Sequence, residues 1–173
     1  MDRKAECSVV IDLPCERAWE KLCDLGLAHC YVPGIVRTEI TTGRRTGVGA
    51  SRRVYQSESR CLDETVVEWR EGSGFVIRLH KGDRGPPPPF RSAAFRYWIE
   101  PEGHDRTRLT TTLSYAVRWG LLGRWLDALV LAKAIRANVR DVASGLKDFY
   151  ETGVAVTPAR HAELRAARRT QTG

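Results

Sequence analysis

The segment from residue 120 to 153 constrains the fold most, because it is the longest stretch with helical periodicity. Gly153 suits the position that closes a helix, and Pro158 prevents an immediate continuation. Polar side chains fall mostly opposite the apolar ones, so we expect one long amphipathic helix. The apolar stripe consists of Ala128, Leu131, Ile135, Val139, Val142, Leu146 and Phe149.

The chain before this helix shows mostly the alternation that is typical of strands. Pro14 and Glu16 suit the first turn of a helix that ends near Asp24, and a second short turn follows at residues 27–31. Because most strands follow one another directly, we predict antiparallel hairpins and an α+β fold. The expected strands, about seven in number, lie at residues 6–13, 36–41, 50–56, 62–70, 75–80, 90–100 and 106–119.

Length and composition restrict the domain organisation and the compartment. A chain of 173 residues forms one domain, or one domain with a tail. We predict a domain over residues 1–153 and a basic extension over 154–173, either helical or flexible. No apolar run is long enough to span a membrane, and the N-terminus lacks the apolar block of a signal peptide. Five cysteines without a CxxC motif indicate free thiols and a cytoplasmic protein.

The partial sequence motifs for a cofactor, a metal or a nucleic acid are each incomplete. The glycines of residues 47–52 lack the third glycine of a dinucleotide loop, and Cys23, His29 and Cys30 would need a fourth ligand to hold zinc. We therefore expect no cofactor and no metal. The net charge of +7 is scattered over the chain, and the arginines of residues 160–169 have no interleaved aromatics, so no specific nucleic-acid binding is expected.

Short matches in order along the chain carry a resemblance to a known family. They lie at residues 9–14, 17–19, 24, 31–34, 43, 47–52, 64–69, 107–110 and 120–123. In this order and spacing, residues 5–153 resemble the START-like or SRPBCC superfamily, and most of all its branch of polyketide cyclase/dehydrase and lipid-transport proteins. The resemblance implies a helix-grip fold, in which a curved sheet wraps around a long C-terminal helix. It also implies a hydrophobic small-molecule ligand, because members bind, carry or transform many such molecules.

A cavity between the sheet and the C-terminal helix is the expected ligand site, since such pockets are mostly apolar. The alternative is that the same side chains fill the core completely. The residues expected to line the cavity are Val9, Ile11, Trp69, Phe75, Ile77, Leu109, Thr111, Leu113, Tyr115, Leu131, Ile135 and Val139.

Polar residues of the predicted strands are the candidates for catalysis. A tyrosine or histidine could act as a general acid or base, and an arginine could hold an enolate or carboxylate oxygen. Against this role, Arg78 and His80 share a strand face opposite Phe75 and Ile77, and strand arginines often face solvent. The catalytic candidates are Tyr55, Arg78, His80 and Tyr97, with Arg53 and Arg96 beside them.

Three functions remain open at this point. The first is binding or carriage of a lipid or polyketide-like ligand, and the alternative is a polyketide cyclase or dehydratase that uses the same cavity. The third is an interaction protein, because residues 121–130, with Leu121, Leu126 and Val130 among them, are apolar on all sides. This segment is expected to form a ligand portal, a homodimer contact or a transient membrane contact. Equally, it could be a short helix that packs against the proline-rich loop at residues 81–89.

Overall fold

The computed structural model describes residues 3–118 and 130–170. Within these ranges, a curved and open antiparallel sheet of seven strands is followed by two helices. The strands are β1 (Arg3–Ile11), β2 (Arg37–Ile40), β3 (Ser51–Ser57), β4 (Arg60–Arg70), β5 (Gly74–His80), β6 (Phe90–Pro101) and β7 (Thr107–Val117). The helices are α1 (Cys15–Leu22), a 3-10 helix (Leu25–Cys30), α2 (Ala132–Thr152) and α3 (Pro158–Thr170). The predicted α+β class and antiparallel sheet are confirmed.

The strand order in the sheet places the first strand, β1, beside the last strand, β7. It runs β1-β7-β6-β5-β4-β3-β2, so every neighbouring pair except β1 and β7 is also consecutive in sequence. Strand β1 pairs antiparallel with β7 along its full length, from Arg3 opposite Tyr115 to Ile11 opposite Thr107. This pairing explains why β1 starts earlier than its alternation alone predicts. Both β1 and β2 are edge strands.

Helix α2 packs on the concave face, mainly over β1 and β7. Its predicted stripe is buried from Ile135 to Phe149, and Gly153 closes it in the left-handed conformation, with φ 73°. The predicted stretch before Ala132 lies mostly at residues 119–129, outside the described residues, so the expectations for residues 121–130 remain predictions. Of that segment only Val130 is described, and its side chain is exposed.

Side chains of α2 also cover the free edge of β1. Lys147 Nζ donates to the Val10 carbonyl oxygen over 2.7 Å. The Asp12 N–H donates to Glu151 Oε1 over 2.8 Å, just beyond the end of the strand. The helix therefore supplies hydrogen-bond partners to backbone groups that have no neighbouring strand.

Helix α3 packs against α2 through charged side chains. Asp141 of α2 accepts hydrogen bonds from Arg165 and Arg168, and Asp148 accepts from Arg160 over 2.7 Å. His161 is buried beside Gly145, where a Cβ would collide with the Tyr31 carbonyl oxygen and lie 2.8 Å from the His161 ring. Glycine at this position thus permits the close approach of three segments.

The basic extension is helical over residues 158–170, and the proposed domain boundary at residue 153 stays a prediction. No helix within the described ranges is both long and apolar enough to cross a membrane. All five cysteines are free thiols, and each is half-buried.

Candidate functional site

A cavity of about 410 Å³ lies between the concave face of the sheet and the first turns of α2. Because α2 sits over β1 and β7, it leaves the inner face of β3 to β6 partly free. The loop after the 3-10 helix and the proline-rich loop line two further sides. The apolar lining includes Val32, Ile35, Val54, Leu62, Leu79, Phe90, Phe95, Leu113, Ile135 and Val142.

The proline-rich loop is held in place by Arg118, the residue that follows β7. The Arg118 side chain donates from Nε to the Phe90 carbonyl oxygen over 2.6 Å and from Nη2 to that of Pro86 over 3.4 Å. Pro86 and Phe90 both line the cavity. The Arg118 backbone N–H also donates to the Pro89 carbonyl oxygen over 2.9 Å, so both its side chain and its backbone fix this wall to the end of β7.

A buried ion pair lies at the cavity wall. Arg52 is only 1% exposed, and its Nε donates to Glu64 Oε2 over 2.6 Å while its Nη1 donates to the Leu25 carbonyl oxygen over 2.9 Å. Burial is the largest single influence and acts to lower the pKa of Arg52, but Glu64, Tyr31 and Tyr97 together outweigh it and hold this pKa well above its ordinary value. Arg52 is thus a permanent buried cation, and Glu64 lines the cavity in front of it.

Three buried tyrosines surround this ion pair. The ring centroids of Tyr31 and Tyr97 are 6.4 Å apart in an edge-to-face arrangement. The Tyr150 hydroxyl is buried and has no hydrogen-bond partner among the described residues. Burial, with the neighbouring Tyr31, raises the pKa of Tyr97 and of Tyr150 well above the ordinary value. These phenols therefore stay protonated and offer hydrogen-bond donors, with Tyr97 lining the cavity itself.

Residues 2–151 match the family model described as polyketide cyclase / dehydrase and lipid transport. The chain belongs to this family. It has the START-like helix-grip fold that the sequence predicts, and the family supports a role in hydrophobic ligand binding or polyketide cyclisation. A comparison with curated proteins finds no match.

Solved structures with the same fold include proteins of different description. The Zhui aromatase/cyclase from Streptomyces sp. R1128 is 15% identical, with a TM-score of 0.61 over 88% of this chain and 98% of that one. A START superfamily protein from Mycobacterium smegmatis is 18% identical, with a TM-score of 0.62 over 86% and 97% of the two chains. At these identities the similarity shows the fold alone.

This member of the polyketide cyclase/dehydrase family distributes the twelve expected lining residues over its whole core. Leu113 and Ile135 line the cavity. The other ten lie elsewhere: Ile11, Phe75, Ile77, Leu109, Thr111, Tyr115 and Val139 are buried, and Val9, Trp69 and Leu131 are half-buried.

Direct helix and aromatic contacts explain why many of these residues lie away from the cavity. Over β7, α2 is in direct contact, since Thr111 Oγ1 lies 3.5 Å from the Val139 carbonyl oxygen. At the α1 end, Trp69 stacks on Phe75 with ring centroids 5.5 Å apart.

Of the four catalytic candidates, only Tyr97 lies at the cavity. Tyr55 donates to Glu39 over 2.6 Å, and the His80 ring lies between Thr65 Oγ1 at 2.8 Å and the Gly82 carbonyl oxygen at 2.7 Å. Arg78 is exposed. Alternation places these three, with Arg53 and Arg96, on the convex face.

The buried polar residues that sequence reasoning missed are Tyr31, Arg52, Glu64 and Tyr150. A signal was present for two of them, because Arg52 alternates in phase with Val54 and pairs directly with Glu64 across β3 and β4. A charge on each of two paired strands, in phase with apolar residues, indicates a buried ion pair. Tyr31 and Tyr150 join it only through the tertiary fold.

Proposed function

We propose that the protein binds and carries a small hydrophobic ligand in the cavity between the sheet and α2. The observation that carries this proposal is an apolar cavity of about 410 Å³ whose polar lining groups are few. Ligand pockets commonly have volumes of roughly 300–1,000 Å³ and this composition. The family's lipid-transport description agrees with such a role.

The polar groups of the lining give such a ligand an orientation. Glu64 and Tyr97 lie on the sheet side, and Gln56 and Asn138 are exposed residues that also line the cavity. A hydroxyl or carbonyl oxygen on the ligand would be recognised by the Tyr97 hydroxyl, which burial keeps protonated because it raises its pKa. The rest of the ligand would contact apolar side chains.

Native mass spectrometry of the purified protein tests this proposal, together with saturable binding of an apolar dye and of fatty acids. The Ala134→Trp variant fills the cavity from an exposed position on α2, so it should weaken binding at least tenfold. Ala137→Trp is the matched control, since Ala137 lies on the same helix outside the cavity lining and is also exposed. Absence of any ligand and of saturable binding would refute carriage, whereas equal binding by both variants would place the ligand outside this cavity.

The alternative is a polyketide cyclase or dehydratase, and the buried tyrosines around Arg52 favour it. Protonated Tyr97 could donate to the oxygen of an enolate, and the fixed charge of Arg52 would stabilise the negative charge that develops. With its raised pKa, Tyr97 would serve as an acid and not as a base. The test is incubation with a linear poly-β-keto analogue: an enzyme yields cyclised product that Tyr97→Phe loses, whereas a carrier returns the analogue unchanged.

A further inference from the structure

A second pocket, of about 670 Å³, opens on the convex face beneath the proline-rich loop. Arg78 contributes to it from β5, Arg84 from the loop, and Arg91 from β6. Among the described residues that line it, Asp83 is the one carboxylate. The pocket therefore carries an excess of positive charge.

The guanidinium groups of the three arginines of this pocket have no partner among the described residues. None of them forms an ion pair or a side-chain hydrogen bond with the described part of the chain, unlike Arg52 and Arg53, which each bind a carboxylate. A guanidinium group presents a planar pair of donors that matches a carboxylate or a phosphate. Three such groups around one pocket fit an acidic ligand group.

The sheet is open at this pocket. Pairing between β5 and β6 ends where Arg78 lies opposite Ala94, although β5 continues to His80 and β6 begins at Phe90. The convex pocket consequently reaches Leu79, which by alternation shares the concave side with Ile77.

Of the residues that the structure describes, two line both the convex pocket and the apolar cavity. They are Leu79 and Pro86, one from β5 and one from the proline-rich loop. The two spaces thus adjoin at these side chains. A molecule that passes between them would meet arginines at one end and apolar side chains at the other.

We propose that the convex pocket is the head-group subsite for an amphipathic anion. The acidic group, a carboxylate or a phosphate, binds Arg78, Arg84 and Arg91, and the apolar part passes Leu79 and Pro86 into the cavity. This inference rests on the proposed binding function and names its ligand class. It goes further by placing recognition of the acid on the face of the sheet opposite α2.

Calorimetric titration with dodecanoate, dodecyl phosphate and dodecanol tests the subsite. The three probes share one chain, so they differ only in the head group. The acid and the phosphate should bind at least tenfold more tightly than the alcohol, and their relative affinities show which acidic group the pocket prefers. Equal affinity of all three would overturn the subsite and leave the cavity proposal intact, whereas no binding of any probe would refute both.

The double variant Arg78→Gln/Arg91→Gln should lose at least tenfold in affinity for the two anions and keep its affinity for dodecanol. Arg45→Gln/Arg106→Gln is the matched control, because both arginines are exposed and lie outside the pocket. An unchanged anion affinity in the first variant would contradict the assignment.

Inorganic phosphate tests whether the pocket and the cavity are joined. If they are, free phosphate competes with dodecyl phosphate only at far higher concentration, and Ala134→Trp weakens dodecyl phosphate. If free phosphate binds as tightly as dodecyl phosphate and Ala134→Trp changes neither, the pocket is an independent anion site and the proposal fails.

Discussion

Arg52 and Glu64 stabilise the fold only as a pair, because each alone would be an uncompensated charge in the core. The single change Glu64→Leu should lower the free energy of unfolding by about 3–5 kcal/mol, as expected when one partner of a buried pair is removed. Adding Arg52→Met should recover most of that loss, since the two apolar side chains can pack together. Denaturant unfolding of the parent, the two single variants and the double variant measures this, and a double variant as unstable as the sum of its single changes would contradict it.

His161 gives the protein a dependence of stability on pH. Its burial lowers the pKa of the ring below the ordinary value, with Asp141 acting in the opposite direction. The unfolded chain therefore takes up a proton first, near the ordinary pKa of about 6.5, and the folded protein loses stability as the pH falls below that value.

The measurement is chemical unfolding of the protein between pH 7.5 and pH 5. The His161→Leu variant should show a flatter profile over this range than the parent. His104→Gln, at an exposed position, is the control and should leave the profile unchanged. A parent whose stability rises on acidification over the same range would show that the sign is wrong.

Some residues of the site can be predicted from local sequence patterns, and others cannot. Tyr97 was predictable because it alternates in phase with Phe95 and Ile99 on one strand. Tyr55 was an equally suitable candidate, because alternation alone does not show which face of its strand a cavity adjoins. His80 was already disfavoured, since it lies on the face opposite Phe75 and Ile77. Tyr150 reaches the cluster from α2, more than fifty residues along the chain from Tyr97, and no local pattern records that proximity.

Helices α2 and α3 pack together through ion pairs more than through apolar contacts. Asp141 is largely buried and accepts from Arg165 and Arg168, so Asp141→Asn should remove two charge-assisted bonds. The expected cost is about 1.5–3 kcal/mol, confined to the docking of α3.

Hydrogen exchange and limited trypsin digestion measure this loosening. Backbone amides of α3 should exchange faster in Asp141→Asn, and its arginines should be cut earlier. Glu163→Gln is the control, since the Glu163 side chain is 65% exposed where it pairs with Arg160 and contributes little. Equal protection of α3 in the parent and in Asp141→Asn would refute the role of this aspartate.

The elements themselves were largely predictable from periodicity. Alternation located each of the seven strands that the structure describes, and the apolar stripe with Gly153 located the end of α2. The sequence left α3 open between a helix and a flexible tail, because residues 158–170 have little apolar surface to bury. Its docking depends on Asp141 and Asp148, whose partners only the folded chain reveals.

At the scale of the whole molecule, an apolar cavity predicts stabilisation by ligand. A ligand present at a hundred times its Kd should raise the free energy of unfolding by about 2.7 kcal/mol. For a chain of this length, that corresponds to a rise in Tm of roughly 5–10 °C. Thermal unfolding with and without dodecanoate measures this increase in Tm. The Ala134→Trp variant should show a much smaller increase in Tm, and an equal increase would place the ligand outside the cavity.

The covering of β1 by α2 has a consequence for the behaviour of shortened chains. Val10 and Asp12 present backbone groups at the sheet edge, and Lys147 and Glu151 are the groups that bind them. An uncovered strand edge is a template on which a second chain can add a strand. A chain that ends before residue 147 should therefore self-associate as the protein concentration rises. In the full chain, helix α2 prevents this aggregation by covering the edge of β1.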